Sequence, residues 1–211
     1  MTIERTGSVN SGEPPCVFTI GHSTHTAEMF TARLRNAGIT AVADVRSAPY
    51  SRYLMQFNQD MLKRNLEAAG ISYAFVGNEL GGRPREAELY SNGVADYDRM
   101  ATTQAFRRGL KRVVEGAKQY RIALMCSEHD PLDCHRCLLV GRRLAAGGVS
   151  VKHILADGSV ETHEQIEDRL LELTDRAAAD FFAPREERLA MAYRERARRV
   201  AYSEAVSSQD A

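Results

Sequence analysis

The sequence lacks a net charge, and this absence excludes one broad group of functions. Lysine plus arginine and aspartate plus glutamate each number 28 among the 211 residues. No global positive field therefore draws the chain to nucleic acid or to an anionic membrane. Any contact with a polyanion must come from a local cluster of basic side chains.

A long apolar run is also missing. No run approaches the roughly 18 residues that a membrane span needs, and residues 1–15, MTIERTGSVNSGEPP, lack the basic-then-apolar layout of a secretory signal. We therefore expect a cytoplasmic protein with no membrane contact. Cysteine is scarce, with four residues, and in a reducing compartment these are thiols or metal ligands rather than a disulfide framework.

Strand and helix patterns alternate through most of the chain. Five short apolar runs predict strands, at 16–20, 40–45, 71–76, 121–126 and 149–155. Amphipathic segments that follow the capping residues Thr26, Asn58 and Thr103 predict helices between them. This alternation predicts an α/β fold, with a mainly parallel sheet of about five strands and helices on both faces. A further short run at 159–162 can pair with the last strand as a hairpin.

The two ends of the chain differ from this core. Residues 1–15 have little to bury and predict a flexible leader, whereas residues 16–162 form the predicted α/β domain. Residues 163–211 carry apolar side chains at helical spacing, which predicts a C-terminal helical extension with a break near 182–184. We expect that this extension could bind a protein partner or a second copy of the chain.

The segment 126–137, CSEHDPLDCHRC, holds three of the four cysteines, two of the six histidines and an arginine. It follows a predicted buried strand and precedes a predicted helix, which is where open α/β sheets bind ligands. Polar residues follow the other strands too, and the carboxyl ends of parallel strands meet at one edge. The side chains expected at this edge are His22, Ser23, Asp44, Arg46, Glu79, Arg83, Cys126, Glu128, Cys134, His135 and Arg136.

Two cysteines are the candidate reactive groups. Cys134 is predicted to lie in the first turn of a helix capped by Asp133 or a neighbour, where N–H groups lower a thiol pKa, so it is the candidate nucleophile. Cys126 is its candidate redox or positioning partner, provided that the fold brings the two sulfurs together. His135 or His22 would carry the proton, since an unperturbed histidine pKa of about 6.5 suits that work.

Arginines in the predicted loops indicate the substrate. Guanidinium groups match phosphate and carboxylate geometry, so Arg46, Arg83 and Arg136 predict a small anionic or nucleotide-like ligand. Some of these arginines could instead pair with nearby carboxylates such as Asp44 or Glu128. A binding module without turnover also stays open, in which the crevice and basic helices recognise nucleic acid or a phosphorylated ligand.

Zinc is the second alternative. Cys126, His129, Cys134 and Cys137 form a C-x2-H-x4-C-x2-C pattern, and sulfur and nitrogen ligands at such spacing suit zinc, although the four-residue spacer is short. We predict no other cofactor, because nothing in the chain resembles a glycine-rich phosphate loop.

Five separated segments resemble the domain-of-unknown-function 488 family and follow its order. They are TIGHST at 19–24, DVRSAPYSR at 44–52, QFN at 56–58, NELGGRP at 78–84 and CSEHDPLDCHR at 126–136. The resemblance covers residues 16–160. It implies an α/β domain whose suspected active site involves Cys126, Cys134, His135 and Arg136, with no established reaction. His129 and Cys137 lie outside the family pattern, as does the chain after 163.

Overall fold

A six-stranded sheet carries the fold in the computed structural model, which describes residues 14–178 and 183–203. Residues 1–13, most of the predicted leader, lie outside the described residues. The strands in chain order are β1 (Cys16–Gly21), β2 (Ala41–Asp44), β3 (Ser72–Phe75), β4 (Tyr90–Ser91), β5 (Val94–Ala95), β6 (Ile122–Cys126), β7 (Ser150–Ile154) and β8 (Val160–Thr162).

Eight α-helices accompany these strands within the described residues. They are α1 (Ala27–Asn36), α2 (Gln59–Ala68), α3 (Gly77–Leu80), α4 (Tyr97–Met100), α5 (Gln104–Ala117), α6 (Arg142–Ala146), α7 (His163–Leu173) and α8 (Arg185–Val200). A π-helical segment, Arg136–Gly141, leads into α6.

The sheet has the order β3-β2-β6-β1-β7-β8. All neighbours are parallel except β7 and β8, which form the predicted hairpin. The central strand β6 is buried at every residue, as expected of a strand covered on both faces. Side chains of α1 and α2 pack on one face of the sheet, and those of α5, α7 and α8 pack on the other. The α/β class with helices on both faces is thus confirmed.

Threonine caps begin several helices at the predicted places. The hydroxyl oxygens of Thr26 and Thr103 accept hydrogen bonds from backbone N–H groups at 3.2 and 3.1 Å. Thr162 and Gln165 form a reciprocal capping box at the start of α7. The side chain of Asn58 differs: it precedes α2, but its Oδ1 accepts the N–H of Ser51 at 2.6 Å, which holds the preceding loop.

The sequence analysis missed three local features. The predicted loop at 78–84 begins with the one-turn helix α3, and the weakly patterned stretch before α5 contains the β4–β5 hairpin and α4. These elements are two to four residues long, too short for a periodicity to indicate them.

The C-terminal helices share the core of the sheet. Ile166 and Leu170 of α7, with Ala192 and Tyr193 of α8, are buried in one cluster with residues of β6. The predicted break falls partly on residues 179–182, outside the described residues, and α8 begins directly after Pro184. Within the described residues, no helix is both long and apolar enough to cross a membrane.

Candidate active site

The candidate site lies where β6 ends and the π-helical segment begins. Cys126 is the last residue of β6, and Cys134 stands just before the helical turn with an extended backbone. The carbonyl of Cys134 accepts hydrogen bonds from the N–H groups of Cys137 and Leu138, and its Sγ lies 3.4 Å from the N of Arg136. Cys134 itself therefore occupies the capping position that had been expected of Asp133 or a neighbour.

The fold brings the two thiols together. The sulfurs of Cys126 and Cys134 and Nδ1 of His135 all lie within 4.8 Å of one another, and neither cysteine is in a disulfide. Oε2 of Glu128 lies 3.0 Å from the Cys126 sulfur and 2.9 Å from the Cys134 sulfur. Glu128 is exposed as a residue, but its carboxyl group turns inward to the thiols. Four groups that can exchange protons thus share one small volume.

His135 is fixed in one orientation by the backbone. Its Nε2 lies 2.9 Å from the carbonyl oxygen of Val45, which can only accept, so Nε2 carries a hydrogen. Nδ1 consequently faces the sulfurs, at 3.7 Å from Cys126 and 3.8 Å from Cys134. Burial is the largest single effect and opposes the imidazolium, but the charge and hydrogen bond of Cys134, the charge of Glu128 and the Val45 carbonyl together raise the pKa of His135.

The environment separates the two thiols in acidity. Burial opposes ionisation of Cys134, but the hydrogen bond from Cys126 favours its thiolate. The charges of Arg136 and His135 favour it further, so the pKa of Cys134 lies well below the usual value. Burial and the hydrogen bond to Cys134 raise the pKa of Cys126 well above that value. The surroundings therefore favour ionisation of Cys134 over ionisation of Cys126.

Arg136 supports this charge from within the core. Its side chain is fully buried, and its two terminal nitrogens donate to the carbonyls of Glu128 at 2.8 Å and His129 at 3.2 Å. Its Nε has no hydrogen-bond partner among the described residues. A buried arginine that binds backbone carbonyls stabilises the loop and the thiolate, but it presents no guanidinium face to a ligand.

The guanidinium group of Arg46 is likewise paired within the chain, with Asp44. Its Nε and Nη2 form a bidentate pair with the carboxylate of Asp44 at 2.9 and 2.7 Å, and Tyr73 donates to the same carboxylate at 2.8 Å. The third nitrogen of Arg46, Nη1, lies 3.4 Å from Nε2 of His22. Asp44 is thus a support for Arg46 rather than a group that faces a ligand.

His22 lies apart from the thiols. Its ring stacks on Phe57 with centroids 4.2 Å apart, and its Nδ1 bonds the carbonyl of Ser23 at 2.8 Å. Burial lowers its pKa to about 4, so the ring is neutral near pH 7. The N–H of Ser23 donates to the carbonyl of Ser127 at 2.9 Å, which links the loop after β1 to the loop after β6. His22 and Ser23 therefore support the structure of the site and are not in contact with the thiols.

A cavity of 140 Å³ opens beside Cys126. Among its lining residues are Arg46, Arg83, Tyr97, Cys126, Glu128, His135, Val200 and Tyr202. Cys134 is 1% exposed and is not among them, so Cys126 is the thiol that meets the cavity. Tyr97, Val200 and Tyr202 are additions that the sequence analysis missed, because they follow no strand of the main sheet and carry no recognisable motif.

Two more residues expected at the sheet edge have different surroundings. Arg83 lines the cavity, with its guanidinium 4.7 Å from the centre of the Tyr202 ring, and it has no carboxylate partner within the part of the chain that the structure describes. Glu79 instead forms an ion pair with Arg112 of α5 and lines a neighbouring pocket. Arg83 is therefore the arginine best placed to meet an anion.

The zinc ligand set predicted from the sequence is not assembled. Cys126 and Cys134 group with His135, whereas His129 is exposed and Cys137 belongs to a separate cluster. The reason is geometric: Cys137 lies one helical turn beyond Cys134, and its side chain enters the core.

The separate cluster consists of Cys137, His153 and His163, whose ligand atoms lie within 4.8 Å of one another. A chain of hydrogen bonds runs through it: Thr19 Oγ1 to His153 Nδ1 at 2.8 Å, His153 Nε2 to His163 Nδ1 at 3.0 Å, and His163 Nε2 to the Tyr193 hydroxyl at 3.0 Å. Burial lowers the pKa of His153 well below its usual value and that of His163 to about 4. Neutral histidines therefore join the sheet to α7 and α8.

Several arginines of the predicted basic helices are already paired. Arg194 lies 3.5 Å from Asp98, Arg199 lies 2.7 Å from Glu195, and Arg196 pairs with Asp133. Much of the positive charge of α8 thus serves contacts within the chain.

Fold and site together define an α/β protein with a buried thiol pair and a histidine at the carboxyl edge of a parallel sheet. A family model described as Domain of unknown function DUF488 matches residues 26–142, more than half of the chain. The chain belongs to this family. The matched segment contains both thiols of the pair, His135 and Arg136, and it ends before α7. No curated protein and no solved structure matches the chain.

Proposed function

We propose that the protein is an enzyme that uses the Cys126–Cys134 pair on a small anionic substrate. The observation that carries the proposal is the arrangement of two sulfurs, one carboxyl oxygen and one imidazole nitrogen beside a cavity. Groups with strongly shifted pKa values in a pocket are typical of catalytic sites.

The roles follow from exposure and acidity. Cys134 holds the negative charge, but Cys126 carries the sulfur that a substrate in the cavity would meet. Transfer of the Cys126 proton to Cys134, Glu128 or His135 would place the thiolate on Cys126 at the moment of attack. Cys134, which the sequence analysis made the nucleophile, becomes its proton acceptor and resolving partner.

The anionic character of the substrate depends on Arg83. It lines the cavity, is exposed, and has no carboxylate partner among the described residues. Arg46, which lines the cavity, and the buried Arg136 add positive charge, partly offset by Asp44. The 140 Å³ volume admits a small anion or one end of a larger molecule.

Two alkylating agents of similar size test this proposal: iodoacetamide, which is neutral, and iodoacetate, which is an anion. We expect the iodoacetate rate at Cys126, divided by the iodoacetamide rate, to exceed the same ratio for glutathione. Arg83→Gln should lower the ratio about two- to fivefold, the size of an exposed charge pair, whereas the control Arg85→Gln should leave it unchanged. Labelling sites are located by mass spectrometry.

Serine variants separate the two thiols. Cys134→Ser should shift alkylation of Cys126 to higher pH, because the Cys134 thiolate that accepts the Cys126 proton is gone. Cys126→Ser should abolish labelling in the cavity. If iodoacetate modifies only Cys16, or shows no preference over the glutathione ratio, the proposal is wrong.

A soft metal ion is the second candidate for this site, with a ligand set different from the predicted one. The sulfur-to-nitrogen distances of 3.7 and 3.8 Å are those between neighbouring ligands of a tetrahedral ion, and the Val45 carbonyl anchors the other nitrogen of His135. Cys126, Cys134 and His135 would hold the ion, with a fourth position beside Glu128.

Elemental analysis distinguishes the two candidates. Protein purified without chelator should contain one zinc per chain if the metal site is real, and Cys126→Ser and His135→Gln should remove it. The control His129→Gln should keep it. Zinc content below 0.1 per chain, with stability unchanged by chelator, would exclude this candidate and leave the thiol enzyme.

A further inference from the structure

A second and larger pocket lies on the other side of Tyr97. It occupies 670 Å³ between the β4–β5 hairpin, α4 and α8, within the size range of small-molecule pockets. Val94, Leu138 and Ala197 are among the apolar residues that line it. Tyr97 also lines the thiol cavity, so the two spaces share one side chain as a wall.

The charges around this pocket do not cancel. The carboxylate of Asp98 forms ion pairs with three guanidinium groups, those of Arg142 at 3.4 Å, Arg143 at 2.8 Å and Arg194 at 3.5 Å. One carboxylate against three guanidinium groups leaves a local charge of plus two. Arg198 also lines the pocket and has no carboxylate partner among the described residues. In a chain with no net charge, this is the kind of local positive cluster that a polyanion contact requires.

The surroundings of Arg142 show that the Asp98 carboxylate does not neutralise the charge of the nearby arginines. Its guanidinium lies 4.5 Å from the centre of the Tyr193 ring and is 21% exposed. Burial lowers the pKa of Arg142, Asp98 opposes that effect, and the nearby charges of Arg143 and Arg194 add to it. An anion between Arg142 and Arg194 would relieve this repulsion and would accept hydrogen bonds from both.

We propose that this pocket binds an organic phosphate of about the size of a nucleoside monophosphate. Its phosphate would lie against Arg142, Arg194 and Arg198, because guanidinium forks match phosphate oxygens. The organic part would cover Val94 and Leu138. The inference does not depend on thiol chemistry, since every group it uses lies outside the thiol cavity.

Calorimetric titration of the full chain with adenosine monophosphate, pyrophosphate and adenosine tests the proposal. We expect saturable binding of adenosine monophosphate and binding of adenosine that is weaker by about tenfold or more, because recognition is driven by charge. Binding of the two phosphate ligands, adenosine monophosphate and pyrophosphate, should weaken as the salt concentration rises from about 50 to about 200 mM. Arg194→Gln and Arg198→Gln, both at accessible positions, should each weaken adenosine monophosphate binding several-fold. Arg107→Gln, an exposed arginine of α5 outside the pocket, is the matched control.

The same titration separates this pocket from the thiol site. A Cys126→Ser, Cys134→Ser double variant should bind adenosine monophosphate as the wild type does. Loss of binding in that variant, equal effects of Arg194→Gln and Arg107→Gln in folded protein, or no saturable binding at millimolar ligand would each overturn the inference.

Discussion

At the residue scale, the acidity of the thiol pair depends on which atom of His135 faces it. The backbone of Val45 decides this, because its carbonyl accepts a hydrogen bond from the Nε2–H group and so leaves Nδ1 facing the sulfurs. The Cys134 thiolate and the His135 imidazolium stabilise each other, so each shifts the pKa of the other. Removing one charge should therefore be visible as a change in the titration of the other.

We predict that His135→Gln moves thiol alkylation to higher pH. The positive charge that favours the Cys134 thiolate is lost, so the midpoint of the iodoacetamide rate against pH should rise by about one unit or more, the size expected when an opposite charge nearby is removed. The control His129→Gln changes an exposed histidine and should leave the midpoint in place. An unchanged midpoint in His135→Gln would show that Arg136 and the Cys126 hydrogen bond suffice.

The sequence indicated which residues come together in the site better than it indicated their hydrogen-bond partners. The grouping of Cys126, Cys134 and His135 follows from their places at one strand end and one helix start. The use of Arg136 for two carbonyls and of Arg46 for Asp44 could not be predicted, because three-dimensional packing selects those partners. His22 was placed on the correct edge, but its stacking on Phe57 depends on the loop before α2.

At the scale of elements, the end of β1 is fitted closely to the loop that carries Glu128. A Cβ added at Gly21 would overlap the Glu128 carbonyl and approach Nη2 of Arg136 at 3.1 Å. Gly21 has no left-handed backbone, so the requirement for glycine is one of space alone. The glycine of the GHS motif thus lets the loop after β6 lie directly against β1.

We predict that Gly21→Ala destabilises the protein by about 1–3 kcal/mol, the usual cost of overpacking, and also disturbs thiol acidity. The methyl group should displace Glu128 and Arg136, so the pH midpoint of alkylation should rise together with the loss of stability in urea. Gly70→Ala is the control: its φ of 76° makes alanine costly, but the added methyl group would have no atom, and so no thiol, within 4 Å. A Gly21→Ala protein that loses stability with normal thiol acidity would contradict the role given to this contact.

Element prediction succeeded where the pattern extended over several turns or strands. The five long strands and the helices after Thr26, Asn58 and Thr103 appear close to their expected positions. The π-helical segment was not predicted, because its residues are apolar enough to read as an ordinary buried helix start. The β4–β5 hairpin was missed as well, and it supplies one side of the larger pocket.

At the scale of the whole molecule, two buried histidines link stability to pH. The pKa of His22 and that of His163 are both about 4 in the folded protein, below the ordinary 6.5. The unfolded chain therefore binds more protons between these values, and their contribution to stability is complete above pH 6.5 and is lost as pH falls toward 4. Each pKa difference corresponds to roughly 3 kcal/mol at most.

We predict that the free energy of unfolding in urea decreases steadily from pH 6.5 to pH 4. His22→Asn should remove part of this pH dependence whatever its effect at pH 7, because the difference between the two curves isolates one histidine from the carboxyl groups. The exposed His129→Gln serves as the control and should keep the wild-type slope. Parallel curves for the wild type and His22→Asn would mean that His22 is not buried as a neutral ring.

The C-terminal segment completes the thiol cavity. Tyr202 and Val200 line it, Tyr202 accepts the N–H of Ala95 through its carbonyl at 2.9 Å, and Ser203 bridges to Val94. We predict that Tyr202→Ala accelerates iodoacetamide labelling of Cys126 several-fold, because one wall is removed. Tyr120→Ala, an exposed tyrosine before β6, is the control, and equal rates in all three proteins would show that the wall does not limit access.

This closure orders events during synthesis of the chain. The strands and loops that carry the thiols leave the ribosome well before Val200 and Tyr202 do, since these residues come after every other element of the site. Until α8 and the residues after it dock, the cavity beside Cys126 lacks the wall that Val200 and Tyr202 form. Docking of α8 against the rest of the fold is therefore the step that completes the enclosure of the cysteine pair.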